Sequence, residues 1–268
     1  QNLDILSGSG LVTITGNIGT STALTSIDIN QSGGTGGVTL SGNIGTSSAV
    51  GAGITRLGND SLTGTITFGG TDYNTSGAQT YIADAYVMSG TDPDFLASSE
   101  NIGFEDGGIT LATVSDLTVD TGSGADGNIS IEGAIAGTSD GSTTTVTLEA
   151  GSGTVGVAGM GTDIGNVTID GSGGVTLNGS ITTAAGNIDI NEATTLATGG
   201  ITLTTANGSV DFASTIDGGQ NLDILSGSGT VTITGNIGTT TALTSIDINQ
   251  SAGTGNVTLS GNIGTSSA

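Results

Sequence analysis

The 268-residue chain has no cysteine, histidine or tryptophan, and Arg56 is its single basic residue. The absence of cysteine excludes disulfides, and the absence of both cysteine and histidine excludes the usual nucleophile and base pairs of hydrolases. A net charge of −23 excludes electrostatic attraction to nucleic acid or to an anionic membrane surface. No apolar run approaches the length of a membrane span. Functions that depend on reactive or basic side chains are therefore largely excluded.

Polysaccharide cleavage by a lyase or a hydrolase is the remaining catalytic alternative. A lyase of that kind ordinarily needs a basic residue to remove a proton, and only Arg56 is basic. A hydrolase needs two suitably separated carboxylates, and the sequence distinguishes no pair among its 24 acidic residues. We therefore expect the protein not to be an enzyme.

The chain is rich in glycine, with 51 residues, and it contains a long internal duplication. Residues 1–49 recur as residues 220–268 with four differences, at Leu11/Thr230, Ser21/Thr240, Gly33/Ala252 and Gly37/Asn256. Near-identity at an offset of 219 residues indicates a tandem array. We predict that residues 1–219 form one repeat unit and that residues 220–268 begin the next.

A short motif recurs throughout both units: an aliphatic residue, then Thr, Ser or Asp, then another aliphatic residue or Phe. Examples are Leu3–Ile5, Val12–Ile14 and Val167–Ile169. Alternation with a period of two among β-branched residues predicts strands with one buried face. Gly-Gly or Gly-Asn precedes many of these strands, and we interpret each pair as a sharp turn with positive φ.

The spacing of the strands predicts an all-β, parallel, right-handed β-solenoid. Every second strand starts roughly 20 to 28 residues further on, which gives about nine coils per 219-residue unit. At the spacing of neighbouring strands such a unit advances about 43 Å. A β-sandwich is the competing fold, but the strands resemble one another closely and aromatic residues are few. The predicted outward column has its centres at Asp4, Asp28, Thr55, the region of Ile82, Thr110, Ser130, Gly156, Thr176 and Thr202, and it restarts at Asp223.

Two pairs of aspartates fall next to each other in this column. Asp28 is expected one coil from Asp4, and Asp247 one coil from Asp223. Two such charges repel by about 1 kcal/mol in water, so they are either solvated and laterally separated or bridged by a cation. Calcium is the candidate ion because carboxylates and carbonyl oxygens are its preferred ligands. No cofactor is otherwise required.

Residues 69–108 differ from the rest of the chain and are expected to form a coil with a long loop excursion around residues 91–106. This segment contains all three tyrosines, the single proline and seven acidic residues. Loops that project from a regular scaffold often bind ligands. A hydrophobic flap that seals the side of the solenoid is the alternative. The candidate binding residues are Tyr73, Tyr81, Tyr86, Asp92, Asp94 and Phe95.

Residues 200–222, with Gly77–Tyr81, resemble the repeat regions of filamentous-haemagglutinin-like giant surface proteins of bacteria. The resemblance is one of repeat style along the whole chain. It implies a right-handed parallel β-helix, export from the cell, and service as a surface adhesin or matrix fibre. It carries over no functional residue.

Two functions follow as expectations. In the first, the array is a structural element of an extracellular fibre or cell-surface stalk, whose coils stack end to end and whose fibres also associate laterally. In the second, it is an adhesin that binds glycans or another cell through residues 69–108.

Overall fold

The computed structural model describes residues 1–112, 116–124, 127–138, 143–161, 163–250 and 253–264. Within these ranges the chain forms 28 β-strands and no helix, so none of the described segments is a helix long and apolar enough to cross a membrane. The strands are β1 (Asn2–Ile5), β2 (Val12–Ile14), β3 (Leu24–Ile29), β4 (Val38–Leu40), β5 (Ala52–Gly58), β6 (Thr65–Phe68), β7 (Asp72–Thr75), β8 (Gln79–Met88), β9 (Asp94–Ala97), β10 (Ile102–Leu111), β11 (Leu117–Asp120), β12 (Ile129–Ile131), β13 (Ile135–Ala136), β14 (Thr145–Glu149), β15 (Thr154–Val157), β16 (Met160–Gly161), β17 (Asn166–Asp170), β18 (Gly174–Leu177), β19 (Ile181–Thr183), β20 (Ile188–Ile190), β21 (Thr194–Leu196), β22 (Ile201–Thr205), β23 (Val210–Phe212), β24 (Ile216–Asp217), β25 (Asn221–Leu225), β26 (Val231–Ile233), β27 (Ser245–Ile248) and β28 (Val257–Leu259).

The strands pair in parallel and stack into three sides of a β-solenoid of about 11 turns. Side A starts with β1, side B with β2 and side C with Ile18, and each side continues by register pairing with the next turn. The long strands β8 and β10 cross a corner, so their first halves pair on side A and their second halves on side B. The predicted parallel β-solenoid is confirmed.

The core is a set of aliphatic columns that run along the axis. In β17 the side chains of Val167 and Ile169 are buried while Thr168 between them is turned outward. Val167 lies in register with Val146 before it and Ile188 after it. Because like residues stack on like, each turn buries its apolar side chains against its two neighbours, at about 25 cal/mol per Å² of apolar surface.

One corner of the solenoid is a column of stacked glycines. A Cβ placed on Gly186, Gly208, Gly229 or Gly255 would lie 1.7 to 2.0 Å from the carbonyl oxygen of the glycine one turn earlier. Close backbone approach, and not positive φ, therefore requires glycine here. Positive φ, predicted at each glycine pair before a strand, is found at Gly174 and Gly200, and the prediction was wrong at the other pairs, such as Gly186 with Asn187.

The asparagine that follows some of these glycines links neighbouring turns. The Oδ1 atom of Asn166 accepts a hydrogen bond from the amide of Asn187 at 2.9 Å, and Asn187 Oδ1 accepts one from the amide of Ser209 at 2.9 Å. A side chain that bonds the backbone of the next turn satisfies an amide that the corner would otherwise leave unpaired.

The two copies of the duplicated block lie on different sides of the coil. β1 begins on side A, whereas its copy β25 pairs with β22 on side B, nine turns and one side later. The predicted outward column was wrong at four positions. Thr55 is buried and lies one residue before Arg56, the register partner of Asp28, while Thr110, Thr202 and Asp223 lie on side B. The changes of side arise because turn length varies, from 29 residues between Leu117 and Val146 to 19 between Val175 and Thr194.

The loop excursion predicted within residues 69–108 is wrong. These residues form β7, β8, β9 and the start of β10, all paired in register with the turns on either side. The only proline, Pro93, is buried just before β9. The segment is therefore part of the regular coil, and its aromatic side chains fill the interior.

Candidate functional site

The two predicted aspartate pairs are register neighbours, Asp4 with Asp28 on side A and Asp223 with Asp247 on side B. On the following turn of the first copy, Asp28 pairs with Arg56. Arg56 Nε donates a hydrogen bond to Asp28 Oδ1 at 2.6 Å, and the guanidinium side chain is 42% exposed. An ion pair with that exposure contributes about 1 kcal/mol or less. It neutralises one of the carboxylates that the sequence suggested for calcium.

The calcium hypothesis fits these pairs poorly. At Asp4 and Asp28 the arginine takes one of the two carboxylates, and at Asp223 and Asp247 the neighbouring polar group is Gln250, whose amide donates to Asp247 Oδ1 at 3.1 Å. Among the described residues no group of three or more acidic side chains is arranged to hold a metal ion. Calcium ordinarily takes six to eight oxygens, so each pair would supply only a few of them.

Calcium binding stays a prediction, and melting temperatures measured with calcium and with a chelator test it. If Asp223 and Asp247 share a calcium ion, millimolar calcium should raise the melting temperature above that in chelator. Asp223→Asn should abolish this difference. An equal melting temperature in calcium and in chelator would exclude a stabilising calcium site.

The three tyrosines and Phe95 are fully buried, so their rings are not available to a surface ligand. Phe68 packs edge-to-face on Tyr73, Tyr81 and Phe95, each with ring centroids 5.0 Å apart, and Tyr73 stacks on Phe95 at 4.6 Å. Burial raises the pKa of all three tyrosine hydroxyls. The aromatic residues are therefore a core layer and not the binding surface proposed from the sequence.

The carboxylates of this segment remain on the outside. Asp92 is exposed at a corner, where its Oδ1 accepts the amide of Asp116 at 3.0 Å. Asp94 lies on side C in register with Asp72. Partial burial, together with the charges of Asp120, Asp72 and Glu149, raises the pKa of Asp94.

A second acidic column on side C was missed by the sequence analysis. Asp120, Glu149 and Asp170 occupy one register position on three successive turns and line a hollow of about 290 Å³. Burial and the charges of the other two carboxylates raise the pKa of Glu149. These residues end their strands at intervals of 29 and 21 residues, and such unequal spacing hides the column until the register is known.

The first and last turns of the coil expose opposite parts of the duplicated block. In the first copy Leu3, Ile5 and Ile14 are partly exposed on the first turn. Their equivalents in the second copy, Leu222, Ile224 and Ile233, are fully buried beneath the preceding turns.

The second copy is open at its other end. Val257, Leu259 and Ile263 are 44%, 40% and 60% exposed, whereas their equivalents in the first copy, Val38, Leu40 and Ile44, are at most 1% exposed. The same sequence is thus seen once uncovered and once covered on each side.

Comparison with protein-family models, with curated proteins and with solved structures finds no match to this chain.

Proposed function

We propose that the chain belongs to the shaft of an extracellular fibre or cell-surface stalk, in which β-coils stack continuously and supply length and stiffness. The observation that supports this most is the passage from one unit into the next. β22 pairs with β25, and β23 with β26, in unbroken register. The block that begins each unit is therefore also a seamless continuation of the unit before it.

Stiffness follows from the direction of the hydrogen bonds. Each described strand from β3 to β26 bonds to the turns before and after it, so the backbone hydrogen bonds run along the axis of the shaft. Bending such a coil would stretch ladder bonds and separate stacked aliphatic side chains on one side. Each turn buries its narrow core against the neighbouring turns. Such a core suits an elongated structure better than a compact one.

The surface charge also suits a shaft that stays dispersed. A net charge of −23 with one basic residue repels a neighbouring shaft at low ionic strength. Lateral association, if it occurs, would require screening or a bridging cation. The extracellular setting is part of this proposal. It is supported by the resemblance of the repeats in style to those of haemagglutinin-like surface proteins.

The adhesin alternative is not favoured by any observation. It required exposed tyrosines on a loop, and Tyr73, Tyr81 and Tyr86 are buried in strands. The proposal assigns the chain no catalytic activity.

Electron microscopy of the native assembly tests the proposal. Nine turns and one side of coil at about 4.8 Å per turn should give an axial repeat of about 45 Å in unbranched filaments. Compact particles, or short stalks dominated by distal globular heads, would contradict a role in providing length.

A further inference from the structure

The corner before β9 contains a backbone outlier at the single proline of the chain. Asp92 precedes Pro93 and has a φ of +49°, and positive φ is found at only six non-glycine residues of the described chain. The ring of a following proline normally restricts the preceding residue to extended backbone, so this conformation is unfavourable for two reasons. Such strain persists only where the surrounding structure holds it in place.

The surrounding structure holds both sides of the Asp92–Pro93 bond. The Oδ1 atom of Asp92 accepts a hydrogen bond from the amide of Asp116 on the next turn at 3.0 Å. Pro93 is buried, and its carbonyl oxygen accepts the amide of Thr118 at 3.1 Å. β9, which starts directly after the proline, is paired with β7 and β11. The nitrogen side of the bond is therefore anchored in the coil.

The carboxyl of Asp92 is exposed, so water and solvent protons reach it. The charged side chains of the neighbouring segments are all carboxylates: Asp72 at the start of β7, Asp94 at the start of β9 and Asp116 on the next turn. No described cation lies among them to hold the Asp92 carboxyl in its charged form, because the one basic residue of the chain, Arg56, pairs with Asp28 on side A.

The bond between an aspartate and a proline combines an internal nucleophile with a good leaving group. The second carboxyl oxygen of Asp92, Oδ2, can close a five-membered ring on the carbonyl carbon of the same residue, and attack within one residue has a high effective concentration. The nitrogen of Pro93 is a tertiary amide nitrogen. It leaves as a secondary amine, which takes up a proton readily.

We infer that Asp92–Pro93 is a self-cleavage site, in which the Asp92 carboxyl is the nucleophile and the Pro93 nitrogen is the leaving group. The neutral carboxyl attacks the Asp92 carbonyl carbon and forms an oxygen–carbon bond. The bond from that carbon to the Pro93 nitrogen breaks, and the carboxyl proton moves to the nitrogen. Water then opens the cyclic anhydride and leaves Asp92 with two free carboxyl groups. The net reaction consumes one water and no other reagent.

The cut falls between β8 and β9, where strand pairing holds the two parts together. β9 is paired with β7, and β10 with β8, across the break. A cleaved shaft would therefore keep its coil while it loses the covalent connection between residues 92 and 93. The inference goes beyond the proposed shaft function and does not depend on it.

Incubation of the purified 268-residue chain at about pH 5 and about pH 7 tests the site. Intact mass spectrometry and N-terminal sequencing should find one pair of fragments, residues 1–92 and 93–268, whose masses add up to the chain plus one water. The fragments should form faster at the lower pH, because the reaction needs the neutral carboxyl. No cleavage, cleavage at another bond, or a faster reaction at the higher pH would overturn the inference.

Two substitutions test the two roles. Asp92→Asn keeps an acceptor for the Asp116 amide but removes the acid, and Pro93→Ala keeps the acid but replaces the leaving group. Neither chain should give fragments, and fragments from either would contradict the assigned role. Asp106→Asn is the matched control, because Asp106 also has a positive φ, +69°, but precedes a glycine. This variant should be cleaved between residues 92 and 93 at the rate of the unchanged chain.

A peptide of residues 88–97 separates the effect of strain from the ordinary reactivity of an Asp–Pro bond. The same bond is relaxed in the peptide, so the folded chain should be cleaved about fivefold faster or more at the same pH. Equal or slower cleavage of the folded chain would overturn the inference. Asp92→Asn and Pro93→Ala should also abolish cleavage of the peptide, which tests the chemistry whatever their effect on folding.

Discussion

At the scale of single residues, the buried polar side chains of the described residues have specific hydrogen-bond partners, except at Thr55. Gln79 is fully buried, and its Nε2 donates to the carbonyl oxygens of Tyr73 and Leu96 at 2.7 and 2.8 Å. Thr55, one turn earlier in the same column, is also fully buried. Within the described part of the chain, its Oγ1 is the buried side-chain atom without a hydrogen-bond partner.

Replacing Thr55 with valine should therefore stabilise the fold. A buried hydroxyl without a partner costs about 1 to 3 kcal/mol, and valine has nearly the same shape. We expect the free energy of unfolding in urea to rise by about 1 kcal/mol. Thr75→Val is the matched control, because Thr75 Oγ1 donates a hydrogen bond to Gly77 O at 2.6 Å. This variant should lose about 1 kcal/mol of unfolding free energy. Destabilisation by Thr55→Val would show that its hydroxyl has a partner.

The glycine column makes a second prediction at this scale. Gly208→Ala would place a Cβ 2.0 Å from the carbonyl oxygen of Gly186. The backbone at Gly186 could move away from this Cβ only if its whole turn moved. We expect a loss of about 3 kcal/mol or more in urea unfolding. Gly161→Ala is the control, since nothing lies within 4 Å of its Cβ position and the variant should be neutral or slightly more stable. Equal stability of both variants would contradict the close stacking at this corner.

At the scale of elements, β8 and β10 hold the aromatic layer together through buried hydrogen bonds as well as ring contacts. Tyr81 donates its hydroxyl hydrogen to Gln79 Oε1 at 2.8 Å, and the Tyr86 hydroxyl accepts the amide of Ala83 at 3.0 Å across the corner of β8. The Tyr81 hydroxyl thus links two side chains on side A, and the Tyr86 hydroxyl links side B to the corner of β8.

A double-mutant cycle should reveal the coupling within this layer. Tyr81→Phe leaves Gln79 Oε1 buried without its partner, and Gln79→Leu leaves the Tyr81 hydroxyl unpaired, so each should cost about 1 to 3 kcal/mol. Once one partner is gone, the second substitution should cost less, giving a coupling energy of about 0.5 to 3 kcal/mol in urea unfolding. Strict additivity would mean that this hydrogen bond does not contribute to stability.

The period-two alternation predicted the elements well where corners contain glycine, and poorly where they do not. Val167–Ile169 reads correctly as a strand because Gly165 and Asn166 mark its start. In β8 the corner falls at Asp84 between two alanines, and the alternation changes phase there without a glycine signal. Residues 69–108 were therefore interpreted as a coil with a loop excursion around residues 91–106, and their tyrosines, which suit both surfaces and cores, were assigned to the surface.

At the scale of the whole molecule, the acidic surface should make stability depend on pH. The pKa values of Asp94, Glu105, Glu149 and Asp189 are raised, first by burial and then by neighbouring carboxylates. A raised pKa in the folded state means that the folded state binds protons more tightly than the unfolded chain. Stability from these groups therefore falls as pH rises from about 4, the ordinary carboxyl value, through the raised values.

We expect the melting temperature in calorimetry to be higher at pH 5 than at pH 7, with a smaller difference in 0.5 M salt because exposed charges are screened. Asp94→Asn should reduce the pH dependence, since it removes one raised group and the repulsion it exerts on Asp120. A melting temperature that rises steadily from pH 5 to pH 7 would mean that favourable ionised contacts dominate over repulsion.

The rotation of one 219-residue unit about the solenoid axis could not be predicted from the sequence. The strand spacing predicted about nine coils per unit, close to the nine turns and one side that the structure has. The additional side depends on three short turns between Val155 and Ile216. Short and long turns differ only in the number of corner residues, and no sequence motif indicates that number. The partner of Asp28 was missed for the same reason, because the column was centred on Thr55, one residue before Arg56.

The position of β25 one side beyond β1 sets the symmetry of any array built from these units. Three advances of nine turns and one side make 28 turns, so a given residue returns to the same side only at every third unit, after about 134 Å. Such a filament has a threefold screw axis generated by identical units. Arg56 and the acidic column on side C would face three directions in succession, and a neighbouring filament would meet the same pattern from any of the three sides.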